Sequence, residues 1–167
     1  MNVVLCGMPA SGKTTVCNYL KKLSDMQAVD TDALIVEKHG KIAKIFEEFG
    51  EERFRQIETE ICKALTNCQN LIIATGGGCV LREQNVNFLK ANGKIFYLKA
   101  KFETLLSRLQ GDTSRPLLKG DLKQNLFALY SARSAVYESV ADYIIQTDQL
   151  SPKQVANQIL NIIKGDF

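Results

Sequence analysis

Short apolar runs alternate along this chain with stretches in which apolar residues recur every three or four positions. The runs at 3–6, 71–75, 95–98 and 143–145 predict buried strands, with a weaker one at 27–29. Between them, Val16, Leu20 and Leu23 share one helical face, as do Phe54, Ile57, Ile61 and Leu65. Leu105, Leu106 and Leu109 mark another helix; Leu126, Leu129, Tyr130, Val136 and Tyr137 mark a longer one. The last helix is bounded by Ser151 as N-cap and Pro152 at its first position, followed by Val155, Ile159, Ile162 and Ile163. Strands bracketed by helices predict an α/β chain, with a five-stranded parallel sheet flanked by helices in three layers. The run at 3–6 is expected near the centre of that sheet.

Two stretches break the alternation. Residues 31–67 hold no strand and read as two short helices and a longer one, which predicts a substrate-binding helical insert over about 31–60. Residues 110–122 are rich in Gly, Asp, Thr and Ser around Arg115-Pro116, and a loop this long in a compact domain predicts a lid. No repeat, low-complexity tract or linker divides the chain, so residues 1–167 are expected to form a single domain.

Composition narrows the class. A net charge of +3 with no dense Lys/Arg block argues against nucleic acid as a partner. No apolar run is long enough to span a bilayer. The five cysteines are scattered, with no CxxC pair, which predicts free thiols, a reducing compartment and a cytoplasmic location. A monomer is expected.

The chemistry is concentrated in Gly7-Met8-Pro9-Ala10-Ser11-Gly12-Lys13-Thr14, which leaves the first strand and opens the first helix. Strand, glycine loop, lysine, hydroxyl residue and helix together predict a P-loop. Its backbone N–H groups and helix dipole would cradle nucleotide phosphates, with Lys13 on the β- and γ-phosphates and Thr14 on Mg²⁺.

Asp30-Thr31-Asp32 follows the second strand, where a doubly wound sheet faces its ligand crevice. Two carboxylates there can divide the work between hydrated Mg²⁺ and an acceptor hydroxyl; the plainer alternative is helix N-capping by Thr31 or Asp32. Thr75-Gly76-Gly77-Gly78 ends the third strand, and three glycines predict close approach of backbone to ligand. Arg55 and Glu58 stand three apart on a helix, as a surface ion pair would. Arg133 could equally be a solvated helix residue, whereas Arg115 sits in the lid segment and suits a developing phosphate charge.

Taken in order, these pieces resemble the shikimate kinases over nearly the whole chain. They comprise the P-loop, Asp30-Thr31-Asp32, Ile45-Phe46, Gly50-Glu51, Phe54-Arg55-Gln56-Ile57-Glu58, the triple glycine, Arg115-Pro116-Leu117-Leu118, and Arg133 with Tyr137. The resemblance implies transfer of the γ-phosphoryl group of ATP, the co-substrate, to the 3-hydroxyl of shikimate, with Mg²⁺ as cofactor. It implies catalytic roles for Lys13, Asp32 and Arg115, and nucleotide contacts from Gly7, Ala10, Ser11, Gly12, Thr14, Thr15 and Arg108, the last against adenine. Thr14 and Asp30 would hold the metal. Asp32, Gly76, Gly77, Gly78, Arg55 and Arg133 would hold shikimate, the two arginines on its carboxylate and Phe46 and Phe54 as walls.

Ala10 departs from the family's usual loop glycine, but the general P-loop pattern leaves that position free, and at most a small change of loop conformation is expected. Thr147-Asp148-Gln149 lacks the arginine that often helps sandwich adenine. His39, before Gly40, reads as a residue of a helix C-terminus. Two alternatives stay open at this point: another small-metabolite kinase, such as one for gluconate, and a nucleotide-binding module without chemistry.

Overall fold

The computed structural model describes residues 1–110 and 120–165. Strand β1 (Asn2–Cys6) is buried along its whole length and occupies the centre of a five-stranded parallel sheet of order β2-β3-β1-β4-β5. The others are β2 (Gln27–Asp30), β3 (Leu71–Ala74), β4 (Gly93–Lys99) and β5 (Tyr143–Gln146). Register carries functional meaning: Leu5 and Asp30 both pair with Ala74 on either side of β3. The chain therefore leaves β1, β2 and β3 at one edge, and the P-loop, the paired acids and the triple glycine emerge side by side.

Among the described residues, seven helices alternate with the strands: α1 (Lys13–Leu23), α2 (Thr31–His39), α3 (Ile42–Leu65), α4 (Glu83–Lys90), α5 (Phe102–Leu109), α6 (Leu122–Val140) and α7 (Pro152–Gly165). Alternate residues of β1 point to opposite faces, and two cores follow. Val3 and Leu5 pack with Val16, Leu20, Val155 and Ile159 beneath α1 and α7. Val4 and Cys6 pack with Ile57, Ile61, Leu105 and Tyr137 beneath the remaining layer. Truncating such a side chain to Ala costs about 2–5 kcal/mol, so either core alone contributes several times the net stability of a domain.

The expected insert is α2 and α3. Gly50, at φ 78° and ψ 173°, breaks α3 into a short and a long limb, which matches two short helices and a longer one. α2 ends at His39, with Gly40 as C-cap at φ 84°. Helix α4 and the 3₁₀ turn Cys79–Leu81 before it were not expected from the apolar pattern, because only Val86 and Leu89 are buried apolar positions on α4. Most of the lid segment, including Arg115, Pro116, Leu117 and Leu118, lies outside the described residues.

Candidate active site

The P-loop is shaped by close backbone approaches. A β-carbon on Gly7, at φ 144°, would lie 2.8 Å from the Leu98 carbonyl oxygen, so only glycine fits between β1 and β4 there. Gly12 precedes α1 at φ 96°. Ala10 adopts φ 62°, a left-handed conformation that glycine would reach without steric cost. The loop thus keeps a glycine-like shape at this position despite its side chain. Lys13 Nζ donates to the carbonyl oxygens of Gly7 and Met8, each at 2.9 Å, which curls the lysine over the loop.

Beyond the loop opens a cavity of about 560 Å³. Ala10, Ser11, Gly12, Lys13, Thr14 and Thr15 form one wall; Asp30 and Asp32 form another. Gly76 and Gly77 bound it towards β3, while Arg108 and Thr147 close the opposite end. Arg108 ties these parts together: Nη1 donates to the Ala10 carbonyl at 3.1 Å and Nη2 to the Thr147 carbonyl at 3.5 Å.

Asp148 fixes that end from below. It accepts from the Lys101 amide at 2.9 Å, from Thr104 Oγ1 at 2.6 Å and from Gln146 Nε2. Burial disfavours its charge, but the bonds from Thr104, Lys101 and Gln146 outweigh that and hold the carboxyl down at about 2.

At the tip of β2 the three residues have separate destinations. Asp30, rather than Thr31 or Asp32, is the N-cap of α2: Oδ1 accepts from the amides of Asp32 at 2.9 Å and Ala33 at 3.2 Å. The helix starts one residue earlier than the capping alternative supposed, because Thr31 is already helical. Thr31, fully buried, accepts from the Gly76 amide at 2.9 Å. Asp32 lies against the same glycine, where an added β-carbon would come within 2.6 Å of Oδ1.

A second cavity, of about 450 Å³, adjoins the first. Glu51, Glu52 and Arg55 from α3 form one side, Gly78, Leu81 and Arg82 another, and Arg133 from α6 the third. Arg55 and Glu58 are not a surface pair. Glu58 is 1% exposed and accepts from Arg55 Nη1 at 2.5 Å, while Glu51 accepts from Nη2 at 3.2 Å. Burial opposes the Arg55 charge, but both carboxylates outweigh it and hold the guanidinium protonated. Burial pushes Glu58 above the usual carboxylate range, and Arg55 pulls it part of the way back. Arg133 is likewise buried, and a β-carbon on Gly77 would lie 3.2 Å from its Nη1.

Phe46 and Phe54 do not line either cavity. Their rings pack 4.8 Å apart within the core layer, and the Arg55 guanidinium carbon sits 5.2 Å from the Phe54 centroid. Phe54 therefore supports the arginine from behind. Beneath the glycine turn, the buried thiols of Cys62 and Cys79 touch at 3.3 Å.

Of the residues expected to form the site, the structure gathers Lys13, Thr14, Asp30, Asp32, Arg108 and the triple glycine with Arg55 and Arg133 around two adjoining cavities. Three further contributors had weak or no sequence signals. Thr31 and Asp148 look like ordinary cap and loop residues, and Tyr137, though part of the family pattern beside Arg133, carried no sign of a contact to the glycine turn. Nothing in the spacing of Glu58 distinguished burial from exposure.

A P-loop at the centre of a 2-3-1-4-5 parallel sheet, opening onto a separate arginine-lined pocket, defines an ATP-dependent kinase of small molecules. The sequence model of the shikimate kinase family matches residues 9–164, and the chain belongs to that family. Shikimate kinase from Caldicellulosiruptor bescii is 40% identical over 163 residues, 96% of this chain and 94% of that one. The Aliivibrio fischeri enzyme is 40% identical over 165 residues, 98% and 96% of the two chains. Among solved structures, shikimate kinase from Acinetobacter baumannii in complex with shikimate superposes with a TM-score of 0.91 at 38% identity, covering 99% of this chain and 93% of that one. The Aquifex aeolicus enzyme gives 0.85 at 33%, covering 99% and 98%. These relationships set aside the gluconate kinase and the non-catalytic module. Among the described residues no helix is long and apolar enough to cross a membrane.

Proposed function

We propose that the larger cavity holds ATP and the smaller one shikimate, and that the γ-phosphoryl group passes between them to the shikimate 3-hydroxyl. The observation that carries this reading is the glycine turn: Gly76 and Gly77 wall the first cavity and Gly78 the second. A nucleotide and an acceptor on either side of three consecutive residues are close enough for direct transfer.

On this reading the P-loop amides and Lys13 bind the β- and γ-phosphates, Arg108 borders the base, and Asp32 orients the attacking hydroxyl. Arg55 and Arg133 hold the shikimate carboxylate, to which their planar forks are matched. Arg55 is preset for this by Glu58, Glu51 and the Phe54 ring. Arg115, outside the described residues, is assigned to the transferring phosphate from the family resemblance alone. Thr14 and Asp30 both line the nucleotide cavity, and a hydroxyl with a carboxylate is a hard-oxygen donor set that fits Mg²⁺. When bound, the ion supplies charge neutralisation on the phosphate oxygens. Asp30 is preset for it, because capping α2 through Oδ1 fixes its rotamer. The chain is proposed to act as a single domain and a monomer in the cytoplasm.

The test is Mg²⁺-dependent ADP formation in a coupled assay with shikimate, with gluconate run alongside. Turnover that requires shikimate is expected; turnover with gluconate alone overturns the acceptor assignment.

A further inference from the structure

A run of three glycines has no side chains of its own to hold it, and its backbone is the most conformationally free in the chain. The structure nevertheless holds it by bonds from two different elements. Thr31 Oγ1, from the start of α2, accepts from the Gly76 amide at 2.9 Å. Tyr137 Oη, from the far end of α6, donates to the Gly77 carbonyl at 2.6 Å. Both side chains are fully buried. Local bonds complete the turn, with the Cys79 amide donating to the Gly76 carbonyl at 3.0 Å and the Leu81 amide to the Gly78 carbonyl at 3.2 Å.

Each of the two tethers lies next to a residue of the chemistry. Thr31 immediately precedes Asp32, which sits against Gly76. Tyr137 is one helical turn beyond Arg133, which sits against Gly77, so both face the turn from α6. Tyr137 packs on Tyr97 with ring centroids 5.2 Å apart, which fixes its ring independently of its hydroxyl. Burial pushes the Tyr137 phenol up to about 12, so the hydroxyl remains a donor at any working pH.

We propose that Thr31 and Tyr137 are positioning residues for phosphoryl transfer. Thr31 sets the Asp32 carboxylate against the glycine turn, and Tyr137 sets the Arg133 guanidinium against it. The two tethers divide the reaction: Thr31 governs alignment of the attacking hydroxyl, and Tyr137 governs affinity for the acceptor carboxylate. This rests on the assignment of the smaller cavity to shikimate.

Steady-state kinetics with ATP and shikimate test it on the intact chain, with thermal midpoints measured alongside. The wild-type enzyme must first turn over shikimate; if it does not, the functional reading fails before the tethers are tested. Tyr137→Phe keeps the ring and loses the hydroxyl. It is expected to raise the shikimate KM about tenfold while kcat stays within about threefold, the size of one hydrogen-bond loss. Thr31→Val should lower kcat about tenfold, and Thr31→Ser, which keeps the hydroxyl, should stay within about threefold of wild type. The ATP KM should stay within about twofold in all three. Unchanged kinetics in Tyr137→Phe, or ATP and shikimate KM values that rise together, overturn the proposal. So does a Thr31→Ser variant as impaired as Thr31→Val. Should Thr31→Val fail to fold, Tyr137→Phe and Thr31→Ser decide the matter by the same limits.

Discussion

The Arg55 guanidinium lies across the face of Gly78: a β-carbon on that glycine would sit 2.7 Å from Arg55 Cζ. The same turn carries Gly76 against Asp32 and Gly77 against Arg133. The three glycines are thus needed one by one, each for a different charged partner. Gly78→Ala should displace Arg55 while leaving the fold intact, since the clash is with the end of a side chain. The expected result is a shikimate KM at least about tenfold higher, with little change in ATP KM or Tm. Gly7→Ala is the contrast, because its clash is with the Leu98 backbone and its φ is 144°. It should lower Tm by several degrees or prevent folding.

Removing either arginine tests the proposed carboxylate grip directly. Arg55→Ala and Arg133→Ala should each lose a charge-assisted bond of about 1.5–3 kcal/mol, or roughly ten- to 150-fold in shikimate affinity. Titration of shikimate and ATP into each variant reads this out. An equal loss of ATP affinity would contradict the assignment.

Ala10 holds a left-handed backbone at φ 62°, which costs about 1–2 kcal/mol for a residue with a β-carbon. Glycine removes that cost but gives back about 0.5–1 kcal/mol through the unfolded chain. Ala10→Gly is therefore expected to stabilise the protein by up to about 1.5 kcal/mol, measured by urea unfolding, with kcat unchanged within about twofold.

Asp148 gives a pH signature of stability. Its carboxyl is held at about 2 in the folded chain, below the ordinary value of about 3.9 in the unfolded one. The folded state therefore binds fewer protons, and the stabilisation it provides is present above pH ~4 and lost as pH falls towards ~2. Asp148→Asn should flatten the fall in unfolding free energy across that window. An unchanged slope would show that the carboxylate does not carry the effect.

The thiols should be quiet. Burial pushes Cys6 up to about 12 and Cys17 up to about 11, while the contact with Cys62, and then burial, raises Cys79. Of the five free cysteines only Cys68 is partly accessible. A colourimetric thiol reagent should therefore label one group quickly in the native protein and all five after denaturation.

The parts of this architecture that repeat with a strong period were legible in the chain. β1, β3 and β4 are built on the apolar runs 3–6, 71–74 and 95–98, and α7 has a cap, a proline and four apolar positions in register. The P-loop was equally plain, because lysine and threonine after a glycine turn need no tertiary information. Helix α4 escaped because eight residues with two buried apolar side chains make too little pattern. The Glu58 ion pair escaped for a different reason. Spacing of three on a helix is the same whether the pair faces water or the core, and only packing of α3 against the glycine turn decides. Asp30 as the cap of α2 depended on the helix starting at Thr31, a boundary that propensity does not resolve. Thr31 and Tyr137 are long-range contacts spanning 45 and 60 positions, and no local rule reaches that far.

The two cavities, proposed for nucleotide and for acceptor, have no wall residue in common. Glu51, Glu52, Arg82 and Leu81 can change without altering any group that faces the triphosphate. An enzyme laid out in this way is modular: a lineage or a designer can retune which acid is accepted by editing α3 and the turn beside it. The machinery that activates the phosphate donor is inherited unchanged.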